Sequence, residues 1–350
     1  MKKKILFCIL LLSLVLTGCK TRKNQVAYTV YPIGYILNRL STEQVQVVSI
    51  QNSEIIQRAT IKEDFKNILE LSEILFHIGS VEPYLTVYNN SIAELNVNKK
   101  DLSSMNAIYK FQRYTPVIVG GEISFVEAPY YRSDSFNDID VNERDLYLWT
   151  DPISMLSMSK DVKNWLVKTY PESKTVFEDK FTSLEHDLVQ LDAEFQNLAS
   201  SLVSENNEIK FASITPTYGS WQKTYGIQTY PIVLSKYGVL PTETQYEAIK
   251  ERLVADNVKY IVFEANMPDD MKELFNRIQS ELSLEIVYMS DLSSLSIEQE
   301  ENNTDYISLM YENLASLKTM ITSKEEDVIV PIEDQSENKE QTENKTNDSE

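Results

Sequence analysis

Imidazole and thiolate are the side chains that hold zinc-like metals and drive nucleophilic catalysis, and this 350-residue chain carries two His and two Cys. His77 stands inside the apolar run Ile74-Leu75-Phe76-His77-Ile78, where a hydrogen-bonded core imidazole is the plain reading. His186 lies among charged neighbours on a long helical pattern and reads as solvated. The two share no ligand-like spacing, so a His-based zinc site is not written in the residues. Carboxylates remain. Glu54, Glu264 and Asp305 could furnish an oxygen site for a harder cation, with ordinary surface or loop acids as the competing reading. Hydrolase chemistry has no support: Gly-x-Ser-x-Gly and His-Glu-x-x-His are absent. With eight Gly in the chain, phosphate-cradling loops are not expected either.

The cysteines carry an address. Lys2, Lys3 and Lys4 precede an apolar run, Ile5 to Leu16, that is too short to span a bilayer comfortably. It ends in Leu16-Thr17-Gly18-Cys19, which resembles the lipobox of bacterial lipoproteins. That resemblance implies cleavage before Cys19 and a lipid on its thiol, with an uncleaved anchor as the competing reading. Cys8 would leave with the signal, so the mature chain would hold no free thiol and no disulfide. Lys20, Arg22 and Lys23 add attraction to an anionic membrane surface. A formal net charge of −20 argues against nucleic acid as a partner, and 42% hydrophobic residues support cored domains.

The elements that must position any site are organised around Pro171 to Leu202. Apolar residues at Phe177, Phe181, Leu184, Leu188, Leu191, Phe195, Leu198 and Leu202 alternate intervals of four and three, keeping one stripe on one helical face. Pro171 suits the first helical position. The stripe predicts either a coiled-coil segment or a spine joining two domains, and the flanking sequence favours the spine. Before it, strands at Val26–Val30, Val45–Ile50, Ile74–Ile78 and Val117–Val119 alternate with helices starting at Pro32, Ile61 and near Tyr84. Glu122 to Arg144 shows no clear periodicity, and Asp151-Pro152 opens a helix reaching Tyr170. After it, strands at Ile209–Ile214, Tyr230–Leu234, Tyr260–Glu264 and Glu285–Met289 alternate with helices at Tyr218–Tyr225, Thr242–Asn257, Asp269–Leu282 and Tyr306–Thr322. This order predicts α/β class: two parallel-sheet lobes joined by one long helix. The expected division is a signal (1–18), a lipidated Cys and tether (19–25), a first lobe (26–169), the linking helix (170–203), a second lobe (204–323) and an acidic, disordered tail (324–350).

That order, with several short stretches, resembles the zinc- and manganese-binding lipoproteins of bacterial ABC importers. The stretches are Thr29-Val30-Tyr31-Pro32, Phe76 to Leu85, Trp149-Thr150-Asp151-Pro152, Tyr170-Pro171-Glu172, Tyr218-Gly219-Ser220-Trp221 with Tyr225-Gly226, Ile261-Val262-Phe263-Glu264, and Tyr306 to Leu314. The resemblance implies an extracytoplasmic monomer that hands zinc or manganese to a membrane permease. In that family His and carboxylate ligands hold the metal between the lobes. Carried onto this sequence, the ligand positions fall at or next to Ile56, on Tyr147, on Thr215, and at or near Thr304 with Asp305 one residue on. Tyr130, Tyr131, Tyr147 and Tyr218 are expected near the cleft, where aromatics and hydroxyls suit a small organic ligand better than zinc. Two functions therefore stand: a solute-binding lipoprotein with a degenerate metal site, and a surface adhesin or scaffold that keeps the fold without one.

Overall fold

The computed structural model describes residues 23–52, 55–79, 82–105, 108–120, 122–145 and 147–324. Cys19, Glu54, the signal and all of the tail after Lys324 lie outside the described residues. Among the described residues no helix is long and apolar enough to cross a membrane.

The first lobe is built on β1 (Gln25–Tyr28), α1 (Tyr31–Leu40), β2 (Gln46–Ser49), α2 (Phe65–Leu71), β3 (Ser72–His77), α3 (Pro83–Ala93) and β4 (Asn98–Asp101). Its strands pair in the order β2-β1-β3-β4, all parallel. Val26, Ala27, Leu75 and Phe76 are buried, as parallel strands covered on both faces require. Strand β4, Asn98-Lys99-Lys100-Asp101, has no apolar pattern and was not expected; it forms because β3 offers it an edge.

α4 (Pro152–Thr169) and α5 (Lys174–Ser204) form the spine. Asp151 caps α4 by accepting from Ile153 N at 2.9 Å, ahead of Pro152 at the first helical position. Pro171–Ser173 make one 3₁₀ turn, and the 31 residues of α5 follow, roughly 45 Å of helix. Phe177, Leu184, Leu188, Leu191, Phe195, Leu198 and Leu202 are all buried. Phe181 is half-buried under the Lys163 ammonium, 5.1 Å from its ring centre. The stripe meets α4, α1 and elements of the second lobe, so it is a shared core and not a coiled-coil seam.

The second lobe runs β7 (Asn207–Ser213), α6 (Trp221–Tyr225), β8 (Gln228–Pro231), α7 (Glu243–Ala255), β9 (Tyr260–Phe263), α8 (Asp269–Leu282), β10 (Glu285–Tyr288), α9 (Ile297–Glu301), α10 (Tyr306–Thr319) and β11 (Ile321–Ser323). Strands β10, β9, β7 and β8 are parallel neighbours. The last helix ends at Thr319 instead of Thr322, because residues 321–323 pair antiparallel with the start of β7.

Two expectations change between the lobes. Val117–Val119 is not a further strand of the parallel sheet. It ends β5 (Arg113–Val119), which pairs antiparallel with β6 (Glu122–Ala128) across a turn with Gly120 at φ 61°. The stretch read as lacking structure from Glu122 therefore begins with a strand. The hairpin and the loop after it also pack on the second lobe, though their sequence position lies within 26–169. Arg113 reaches Asp256 at 2.6 Å and the Tyr230 hydroxyl at 2.9 Å, and Gln228 Nε2 donates to Tyr114 O at 3.1 Å.

Candidate functional site

Three adjacent parallel strands, β7, β9 and β10, end at one place, the crevice where α/β sheets place ligands. Two residues past β7 is Thr215, one past β9 is Glu264, and three past β10 is Asp291. All three are at most 4% exposed. Thr215 donates through its backbone N to Glu264 Oε2 at 3.3 Å and through its hydroxyl to Oε1 at 2.6 Å. The Thr215 and Thr217 hydroxyls are 2.5 Å apart. Asp291 Oδ1 accepts from Ser293 N at 3.0 Å, and its backbone carbonyl accepts from Trp149 Nε1 at 2.9 Å.

Burial, then repulsion from Asp291, pushes the Glu264 carboxyl up to about 8, against the opposing hydrogen bonds from Thr215 and Thr217. Burial also raises Asp291. Tyr147 presses in from the first lobe. Burial, then the Asp291 and Glu264 charges, raise its phenol far above the ordinary value. Tyr218 closes the other side, and neither its hydroxyl nor Asp291 Oδ2 has a hydrogen-bond partner among the described residues.

The expected residues are thus partly brought together. Tyr147, Thr215, Tyr218 and Glu264 share this cluster. Thr304 and Asp305 serve the next helix instead. Thr304 N bonds to Gln299 O, and Asp305 caps α10 by accepting from Ser308 N at 2.9 Å, with its field felt by Tyr31 and Tyr35. Asp291 is the carboxylate the sequence reading missed. Its signal was its place just past a strand end, matching Glu264 and Thr215. Ile56 is fully buried in a 3₁₀ turn, Ile56–Arg58. His77 is half-buried at the end of β3, where Nδ1 accepts from Gly79 N at 2.9 Å and burial lowers its pKa. His186 is exposed on α5. Among the described residues no group of three or more His, Cys, Asp or Glu converges.

The lobes meet over this cluster through direct side-chain bonds, and a small cavity beside it is lined by Tyr109, Tyr147 and Ser220 among others. Gln57 Nε2 donates to Ser235 O at 2.8 Å, and Arg58 Nε to Gly238 O at 2.9 Å with Asp270 at 2.9 Å from Nη2. Tyr131 donates to Pro231 O at 2.8 Å, and Gln222 Nε2 to the Tyr130 hydroxyl at 2.9 Å. Each expected cleft tyrosine is buried against another aromatic: Tyr130 on Phe111, Tyr131 on Phe136, Tyr147 on Trp149, and Tyr218 on Trp221. Gly219 lets the loop after the hairpin come close, since a Cβ there would be 2.7 Å from Asp145 Oδ2. Two buried carboxyls whose charge burial disfavours, with hydroxyls and phenols beside them, offer neither imidazole nor thiolate.

Comparison with known proteins gives this architecture a family. The zinc-binding lipoprotein AdcA of Streptococcus pneumoniae is 23% identical over 190 residues, 54% of this chain and 36% of AdcA. The high-affinity zinc uptake system protein ZnuA of Bacillus subtilis is 24% identical over 180 residues, 51% of this chain and 54% of that protein. The matches therefore span about a third to a half of those relatives. In structure, the laminin-binding protein Lmb of Streptococcus agalactiae, described as bifunctional with adhesin and metal-transporting activity, superposes with a TM-score of 0.64 at 16% identity, covering 85% of this chain and 98% of that one. Zinc-bound AdcA of Streptococcus pneumoniae gives 0.61 at 17% identity, covering 85% and 58%. Residues 26–320 match the family described as zinc-uptake complex component A, periplasmic, and the chain belongs to that family.

Proposed function

We propose that this chain is a lipid-anchored, extracytoplasmic solute-binding protein of an ABC importer whose interlobe site no longer suits zinc. The relatives named for zinc binding and uptake support the importer role and a membrane permease as partner. One observation carries the departure: where the resemblance expects imidazoles, Tyr147 and Thr215 surround a buried Glu264 that Thr215 itself satisfies at 2.6 Å. The tether rests on Leu16-Thr17-Gly18-Cys19 and the basic residues after it.

A second reading, a surface adhesin or scaffold, gains from the bonds of Gln57 and Arg58 across the lobes. Lmb, described as both adhesin and transporter, joins these two roles on one fold.

Fractionation of cells expressing Cys19→Ala tests the tether: release from the membrane fraction is expected, and unchanged membrane association contradicts it. Zinc uptake in cells lacking this chain tests the cargo. Unchanged uptake is expected, and a growth defect rescued only by added zinc overturns the reading.

A further inference from the structure

The first lobe holds a cavity of about 290 Å³ that shares no residue with the interlobe cluster. It lies between α3 and the sheet edge formed by β3 and β4. Leu75 and Lys99 are register partners across those strands, and His77 is two residues beyond Leu75, so all three stand on one face. α3 crosses that face with Leu85, Asn89 and Ile92, spaced four and three, lining the other wall. Asn89 takes the place in this stripe where an apolar residue would close helix on sheet, and a gap remains. Leu75 and Ile92 are buried, whereas Asn89 and Lys99 are exposed at the rim. The cavity is therefore apolar inside and polar at its mouth.

Its donors are free and its acids are engaged. Lys100 pairs with Asp161 at 3.3 Å, but Lys99 forms no ion pair among the described residues. His77 Nδ1 accepts from Gly79 N at 2.9 Å, which puts the neutral ring's proton on Nε2, and Nε2 has no partner among the described residues. Asp101 Oδ1 accepts from Ser103 N at 2.8 Å and from its hydroxyl at 2.7 Å. Glu82 accepts from Ile78 N at 2.6 Å and from the Tyr84 hydroxyl at 2.9 Å, and burial pushes its carboxyl up to about 7. Burial lowers the His77 pKa; Asp101 opposes this and the Lys99 charge adds to it. Lys99 thus stands close enough to His77 for one anion to meet both. We infer that this cavity binds a small monocarboxylate with a short apolar body, its carboxylate on Lys99 Nζ and His77 Nε2–H and its body against Leu75, Leu85 and Ile92. An inorganic anion would leave the apolar wall unused.

The chain has two His, so imidazole NMR reads the site at His77 and a control at His186, exposed on α5. Benzoate added to the mature chain should shift the His77 signals saturably, move the His77 titration to higher pH, and leave His186 unchanged. Benzyl alcohol, which lacks the charge, and phosphate, which lacks the apolar body, should each bind at least about tenfold more weakly. Lys99→Met, at an exposed position, should weaken benzoate by about tenfold. Asn89→Leu should fill the gap and abolish binding without loss of thermal stability. The inference is overturned by no saturable shift at His77, by equal shifts at both histidines, or by phosphate binding as tightly as benzoate. Unchanged benzoate affinity in either variant overturns it as well.

Discussion

Thr215 donates its hydroxyl to Glu264 Oε1 at 2.6 Å, so a residue at an expected ligand position spends its polar atom on a neighbouring carboxyl. Both residues are fully buried, so the pair belongs to the packing at the strand ends. It also gives the fold one pH-dependent contribution.

Glu264 is pushed up to about 8 in the folded chain, chiefly by burial. A carboxyl raised above its unfolded value contributes stability that is fully present below the unfolded pKa. That contribution falls away as pH rises through the folded pKa. Glu264→Gln, which mimics the protonated acid, should match the native chain near about pH 4.5 and exceed its stability by on the order of 1–3 kcal/mol near about pH 8. Urea unfolding at both pH values checks this, and a constant difference between the two chains would contradict it.

The hairpin's attachment should be sensitive to Arg113, which is buried, bonded to Asp256 and Tyr230, and stacked 4.8 Å over the Tyr230 ring. Arg113→Ala leaves Asp256 with Arg252 and the Tyr230 hydroxyl. Because part of the charge network survives, a loss of about 2–3 kcal/mol is expected in urea unfolding, below the full cost of breaking a buried pair. A loss under about 0.5 kcal/mol would mean the hairpin is held without the Arg113–Asp256 pair.

Gly219→Ala tests how closely the segment carrying Asp145 and Tyr130 packs on the second lobe. The added methyl would come 2.7 Å from Asp145 Oδ2 and 3.2 Å from the Tyr130 hydroxyl. Asp145 must move, and a loss of about 1–3 kcal/mol should appear in thermal unfolding. A neutral substitution would show that the segment carrying Asp145 and Tyr130 yields easily.

Much of this was legible in sequence. The alternation of short apolar runs with helical patterns carries both parallel sheets, and the four-three stripe from Phe177 to Leu202 carries the spine. Tyr147, Thr215 and Glu264 were readable because each abuts an ordered element with a recognisable motif. Asp291 was missed because, although the strand before it was read, the loop that follows carries no recognisable motif. The hairpin was missed although Gly120-Gly121 between two β-prone runs is a turn signal, because β6 is mostly exposed and lacks clean alternation. Its attachment to the second lobe depends on Arg113 meeting Asp256, 143 positions away, which no local pattern reports.

Isothermal titration of the metal-stripped mature chain with zinc, followed by elemental analysis, tests the central claim most directly. Tyr147, Thr215 and Ile56 offer no imidazole, and Glu264 is held near neutrality, so no stoichiometric zinc and no affinity tighter than about 10 μM is expected. One equivalent of zinc bound at submicromolar affinity, and lost in Glu264→Gln, would contradict the account.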